Sequence, residues 1–453
     1  MKVNLTCIHG AGEITGSNFL LEIAETKLLV DCGLIQGERF AEEENREPFP
    51  FDPKQIKYLF ITHAHIDHIG RIPKLVRDGF EGTIFSTPET LSLARVMLAD
   101  SYRVLLDEAK VEGREELFSL ADLDHALGFW STIPYHERRK FDEGFKVYFK
   151  DAGHVLGSAI IEIEINGKKI VFCGDLGNTP TPLLKDTEEV TDATYMLMDS
   201  VYGDRDHESL IIRRRKFEEV VKSSIKRGGV LVIPAFSMER TQVLIYELNN
   251  MVEGKRIPLI PVFIDSPLAI AVTAIYKAKM GDFNPEIQNQ IKGGDNIFQF
   301  PKLKMCHTAE DSKAIAHVPG PKIIIAGSGM SNGGRVVHHE RNYLPDPKST
   351  ILLVGYQAVG TLGRRLQDGT KEVVLYKETI PVRARIEKID GFSAHKDSTR
   401  LLEFAEKSAD SLKILFIVLG EPRSSLFLVQ KLREYLGINA ICPERNKKYE
   451  LEF

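Results

Sequence analysis

Thr62-His63-Ala64-His65-Ile66-Asp67-His68 places three imidazoles and a carboxylate within six consecutive residues. The apolar, β-prone run Tyr58-Leu59-Phe60-Ile61 leads into it, so a buried strand is predicted to end where the cluster begins. Neutral imidazole and carboxylate are ligands suited to zinc and similar divalent ions. A turn after a strand can aim alternate side chains into one pocket, His63 and His65 on one side and Asp67 and His68 on the next. Two adjacent metal positions are therefore expected. A polar loop whose histidines merely satisfy backbone groups would not need four potential ligands in so short a window.

Working outward, further strand ends carry what such a site still lacks. Gly153-His154 follows the alternating run Phe145-Lys146-Val147-Tyr148-Phe149. Asp175 follows Phe172-Cys173-Gly174, and Asp31 closes Leu28-Leu29-Val30 before Cys32-Gly33. Alone, each aspartate reads as a turn residue. In this order, Asp31, His-x-His-x-Asp-His, His154 and Asp175 resemble the motifs of the metallo-β-lactamase superfamily.

The second half sharpens the resemblance. Asp199-Ser200-Val201-Tyr202-Gly203-Asp204-Arg205 is similar to the first signature of the β-CASP branch, whose members cut nucleic acids. Ser328-Gly329-Met330-Ser331-Asn332-Gly333-Gly334-Arg335, Val354-Gly355-Tyr356-Gln357 and Gly360-Thr361-Leu362-Gly363-Arg364-Arg365 match the same branch. Gly391-Phe392-Ser393-Ala394-His395 matches its second signature. The chain most resembles the RNA-processing ribonucleases related to the endonuclease of messenger-RNA 3′-end formation. That resemblance implies an α/β fold, a metallo-β-lactamase αββα sandwich with an inserted β-CASP α/β domain and substrate in a cleft between them. The expected division is 1–200 for the first part of the metallo-β-lactamase domain, 201–380 for the β-CASP domain and 381–453 for the second part.

The resemblance also implies roles. His63, His65 and His154 would bind a first zinc, Asp67 and His68 a second, and Asp175 both. Asp31 would orient a ligating imidazole through a hydrogen bond. His395 would give a proton to the leaving group, with Asp199 orienting it. Hydrolysis of a phosphodiester needs such a proton, a nucleophile and charge neutralisation, and a metal can lower the pKa of water from 15.7 to about 7. Segment 327–335 follows a strand and precedes a helix, so its backbone N–H groups can cradle an anion. Ser328, Gly329, Met330, Ser331, Arg335 and Arg364 are the expected substrate-phosphate contacts. Arg213-Arg214-Arg215-Lys216 reads as the solvated start of an amphipathic helix, and Trp130 as a packing residue.

One position departs from the pattern. RNA-cutting relatives end a late strand with Val-His-Gly-Glu, whereas this chain has Val418-Leu419-Gly420-Glu421. An alkyl side chain cannot coordinate, so the second metal should be held more weakly. DNA-cutting β-CASP relatives also carry an aliphatic residue there. The expectation is a metal-dependent ribonuclease acting on single-stranded RNA, ahead of a DNA-directed nuclease or an RNA-binding protein with weakened catalysis.

Composition fits. The 453 residues are 43% hydrophobic and 27% charged, ordinary for a globular enzyme. A net charge of −5 argues against a generally basic surface but not against a local basic groove. Met1-Lys2-Val3-Asn4-Leu5-Thr6 lacks a signal-peptide layout, and no apolar run approaches a membrane span. Five cysteines without paired spacing suggest buried thiols in a reducing cytoplasm. A cytoplasmic location follows, with no membrane partner and a homodimer left open.

Overall fold

The computed structural model describes residues 2–37, 40–358 and 360–453. The chain forms two compact units. One holds Met1–Asp206 together with His395–Phe453, and the other holds His207–Ala394.

The first unit contains two seven-stranded sheets. One runs in the order Lys448–Glu452, Lys2–His9, Asn18–Ile23, Thr26–Val30, Ile56–Phe60, Thr83–Ser86, Trp130–Thr132. The other runs Ala440–Ile441, Ile414–Val418, Tyr195–Asp199, Lys168–Phe172, Ala159–Ile165, Phe145–Asp151, Arg138–Lys140. Strand alternation explains why they face each other. Ile161, Ile163 and Ile165 join Val3, Leu5, Leu21 and Phe60 in one apolar layer between the sheets. Their neighbour Ile160 points the other way, into a layer with Met196, Met198 and Ile417 that helices Ser398–Glu406 and Pro422–Leu436 cover through Leu401, Phe404, Leu428 and Leu432. A strand covered on both faces needs no polar alternation, and Tyr195–Asp199 is buried throughout. Helices Ile72–Arg77, Pro88–Glu112 and Leu120–Gly128 complete the αββα arrangement. Trp130 is buried, and its indole N–H donates to Ser86 Oγ at 2.9 Å.

The second unit holds a six-stranded parallel sheet in the order Leu303–Met305, Val262–Asp265, Lys322–Ala326, Val230–Pro234, Thr350–Leu353, Arg385–Lys388. Helices such as Leu210–Arg227, Arg240–Glu253 and Arg335–Tyr343 alternate with its strands, as parallel crossovers require. The last strand differs from the sequence expectation, which returned the chain to the first domain at 381. Arg385–Lys388 pairs in register with Thr350–Leu353, so residues 381–394 stay with the second unit. The start of helix Leu210–Arg227 is also corrected. Arg213 is buried, donating to the Gly391 carbonyl at 2.7 Å and lying 4.8 Å from the Phe392 ring centroid. Arg214 donates to the buried Glu247 carboxylate at 2.8 Å.

Candidate metal centre

Strand Ile56–Phe60 ends as predicted just before the cluster, and Asp67 and His68 fall on the short helix Ile66–Ile69. Three backbone hydrogen bonds fasten loop 31–34 to this helix: Cys32 N to His68 O, Leu34 N to Ile66 O, and Arg71 N to Cys32 O. The approach is so close that a Cβ on Gly33 would stand 1.5 Å from the Asp67 carbonyl oxygen. Only glycine fits there.

The loop brings Asp31 beneath the histidines. Its carboxylate is fully buried and accepts from Thr62 N at 2.8 Å, Ser17 Oγ at 3.0 Å and His68 Nδ1 at 2.7 Å. The last bond places the proton on Nδ1 of His68 and leaves Nε2 as a lone-pair donor. That Nε2 is buried, 3.4 Å from Asp175 Oδ1 and 3.9 Å from Asp67 Oδ2. The other Asp175 oxygen faces a different set. Its Oδ2 lies 3.4 Å from both His63 Nε2 and His154 Nε2. His65 Nδ1 lies 2.9 Å from His63 Nε2 and 3.3 Å from His154 Nε2.

These separations test whether the donors fit a metal. Two nitrogen ligands of one tetrahedral zinc stand about 3.3 Å apart, given the usual bond lengths. The group His63, His65, His154 and Asp175 has that spacing, all four ligand atoms lying within 4.8 Å of one another. Asp67, His68 and the far oxygen of Asp175 form a second, sparser set beside it. In the first set electrostatics agrees with the donor chemistry. Burial, helped by the neighbouring His68, pushes His63 well below the ordinary histidine range and keeps it neutral. Burial would raise Asp175, but His68, His395 and His63 outweigh it and hold its carboxyl well down.

His395 enters from the far end of the chain. Its Nδ1 lies 3.6 Å from Asp199 Oδ2 and 3.9 Å from Asp175 Oδ2, and its ring centroid is 4.6 Å from that of His154. Asp199 is fully buried at the end of its strand, with Oδ1 accepting from Leu176 N at 3.2 Å. Burial works against the imidazolium of His395, but Asp175 and Asp199 outweigh it and raise the pKa.

Sequence reasoning missed two supports. Thr62 Oγ1 touches Asp31, His63 Nδ1 and His68 Nδ1, and its place beside the first histidine was the available signal. Lys396 is buried, with Nζ donating to the Gly177 carbonyl at 2.8 Å and Thr179 Oγ1 at 3.1 Å. Burial pushes its ammonium down to about 8. It clamps the loop after Asp175 to the residue after His395.

The expected phosphate contacts lie in the second unit, and several are otherwise engaged. Arg335 donates to Asp265 Oδ1 at 2.7 Å and to the Cys306 and His307 carbonyls. Ser331 is buried and donates to Glu340 Oε1 at 2.5 Å, while Arg364 Nε is held by Asp368. These three side chains brace the loops. Ser328 Oγ accepts from Asn332 N at 3.1 Å, Gly329 O accepts from Gln357 Nε2 at 3.1 Å, and Met330 O accepts from Gly363 N at 3.1 Å. Leu419 is 1% exposed and sits with Phe19 around Gly10, in the apolar layer between the two sheets.

The fold and this donor cluster define a metal-using hydrolase, and the chain belongs to the metallo-beta-lactamase superfamily. Residues 11–221 match that superfamily, 241–366 match the Beta-Casp domain, and 379–443 match the Zn-dependent metallo-hydrolase RNA specificity domain. Among particular relatives, ribonuclease TTHA0252 of Thermus thermophilus is 35% identical over 87% of this chain and 89% of its own. An RNase J-like protein of Methanocaldococcus jannaschii is 31% identical over 96% and 97%. Transcription termination factor FttA of Methanosarcina mazei is 30% identical over 96% of this chain and 70% of its own. A crystal structure of a protein of unknown function from Enterococcus faecalis V583 covers 100% of both chains at a TM-score of 0.58 and 12% identity, a likeness of fold alone.

Proposed function

We propose that this chain is a zinc-dependent ribonuclease that hydrolyses phosphodiester bonds of single-stranded RNA. The observation that carries the reading is the Asp175 carboxylate, one oxygen facing nitrogens of His63 and His154 and the other facing His68. The names of the ribonuclease relatives support RNA as the substrate. His63, His65 and His154 would hold one zinc, Asp67 and His68 a second, and Asp175 both. Bound there, zinc supplies Lewis acidity and makes hydroxide available near neutral pH. The protein's own groups do the rest. Asp31 fixes the His68 ring, and Asp199 holds the Nδ1 side of His395. Nε2 of His395 then gives its proton to the departing ribose oxygen, and the imidazole is reprotonated from solvent.

Leu419 offers an alkyl side chain where an imidazole would coordinate, so the second zinc would have three protein ligands and be the weaker. No helix among the described residues is long and apolar enough to cross a membrane. Four of the five cysteines are buried thiols, in keeping with action in the cytoplasm. Whether a homodimer forms is read by light scattering of the same preparation.

The test is to incubate metal-quantified protein with end-labelled single-stranded RNA and DNA in parallel. RNA cleavage that chelator abolishes and zinc restores is the expected result. Cleavage confined to DNA, or RNA binding without cleavage at any zinc concentration, would replace the reading. Zinc titration should show one tight equivalent and a second that fills only as free zinc rises. Two equivalents that both resist chelation would mean another residue has replaced the missing histidine.

A further inference from the structure

The second unit carries a feature that none of the roles above uses. Strand Val230–Pro234 leads through its helix to Val262–Asp265, on the far side of Lys322–Ala326. Strand Lys322–Ala326 leads through its helix to Thr350–Leu353, on the far side of Val230–Pro234. The two strands are neighbours, and their connections depart in opposite directions along the sheet. Such a reversal opens a crevice at the carboxyl ends of the strands, where ligands of open α/β sheets bind.

The two loops that leave this point touch. Phe236, in the first loop, lies against Gly329, in the second. A Cβ built on Gly329 would stand 2.7 Å from Cδ2, 2.9 Å from Cε2 and 3.0 Å from Cγ of the ring. The ring therefore occupies space that only a glycine leaves open. Gly329 is buried, and the adjoining residues Ala235 and Met238 are buried as well. Phe236 is nonetheless 43% exposed. An aromatic ring braced from below by backbone and open above presents a fixed, flat apolar face to a ligand.

The surroundings are polar rather than apolar. Ser237 Oγ and Ser266 Oγ lie 3.3 Å apart, and both stand within 3.7 Å of where a Cβ would be on Gly327. A flat apolar ring beside hydroxyl groups suits a ligand with an aromatic face and a polar edge.

We infer that Phe236 is a stacking platform for one base of single-stranded RNA, held in place by its contact with Gly329. The inference rests on the ribonuclease reading and adds a base-recognition site to it. Stacking on an aromatic ring is tolerant of sequence, because every base presents a π face.

The test measures binding of a short single-stranded oligoribonucleotide to the full chain in an Asp67→Ala background, which stops cleavage. Phe236→Leu keeps an apolar side chain and removes the π face, and should weaken binding roughly 5- to 150-fold. Phe236→Trp should retain it. Gly329→Ala leaves Phe236 present but drives its ring away, and should weaken binding with circular dichroism unchanged. The decisive arm places a single abasic ribose at each position of the oligonucleotide in turn. One position should weaken binding to the background protein and cost nothing further in Phe236→Leu, the signature of a coupled pair. Phe236→Leu binding as tightly as its background, while wild-type protein cuts RNA, would overturn the platform and leave the ribonuclease reading standing. Failure of the background to bind RNA, together with failure of the wild type to cut it, would remove both.

Discussion

Two loops of this protein occupy equivalent topological places and are built in opposite ways. Both follow a buried strand, Ile56–Phe60 in the first unit and Lys322–Ala326 in the second, and both precede a helix. In the first, ionisable side chains converge. His63, His65, His68 and Asp67 present donor atoms toward Asp175, while Asp31, Thr62 and Ser17 fix them from behind. In the second, the ionisable side chains are spent on the scaffold. Arg335 is bound by Asp265, Ser331 by Glu340, and Gly329 carries the exposed Phe236 ring of the neighbouring loop. A loop that must hold a small, highly charged ion concentrates donors. A loop that must lie along a flat or extended ligand keeps its charges internal and offers surface.

The comparison can be broken at its strongest point first. Asp67→Ala or His65→Ala should reduce hydrolysis to background with the thermal transition near wild type, because neither side chain supports the apolar layers. A purified Asp67→Ala protein that cuts RNA at the wild-type rate would refute the site. His395→Ala is next. General acid assistance contributes roughly 10²–10⁴-fold, so turnover should fall by that order while metal content holds. Simultaneous loss of metal would move His395 among the ligands.

Asp31→Asn sharpens the first loop. Partners of this kind govern metal affinity or activity by about 10- to 100-fold. The change should therefore appear as weaker second-site zinc binding in a competition titration with a chelating dye. Unaltered zinc affinity would show that the His68 ring is oriented by other groups.

The smallest effect probes the second loop. Burial raises the Glu340 carboxyl from 4.5 to about 8. An acid whose folded pKa lies above its unfolded one keeps a proton that the unfolded chain has lost. Its contribution is therefore complete below about pH 4.5, declines as pH rises toward 8 and is flat beyond. Glu340→Gln keeps an acceptor for Ser331 and cannot ionise, so it should gain stability relative to wild type as pH goes from 5 to 8.5. Urea unfolding of both proteins at the two ends of that range would show it. A difference that does not change with pH would mean Glu340 is charged in the fold.

Much of the first loop was readable in sequence because its ligands are contiguous and its flanking strand is plainly apolar. Asp31, His154 and Asp175 could be added because each follows a recognisable strand. The second loop was less readable for a physical reason. The destination of Arg335 depends on a partner that only the fold brings near, since Asp265 is 70 residues away. Arg213, in a basic run, looked solvated because nothing local reveals that Phe392 and the Gly391 carbonyl await it. The sheet membership of Arg385–Lys388 is a choice of pairing partner, and its half-exposed edge pattern does not disclose that choice. Phe236 is the inverse case. An aromatic residue after an apolar strand reads as core, and only the fold shows its face in water.

The pairing of Lys2–His9 with Lys448–Glu452 has a consequence for how the protein comes into being. A ribosome releases a chain from its amino end, so Lys2–His9 emerges well before the strand it pairs with. A nascent chain that has passed Asp175 but not His395 carries every metal ligand named here and lacks the proton donor. It also lacks strand Ile414–Val418, which lies against Tyr195–Asp199. Chain order thus sets an order of assembly: His395 can join His154 and Asp175 only after the intervening unit has been translated.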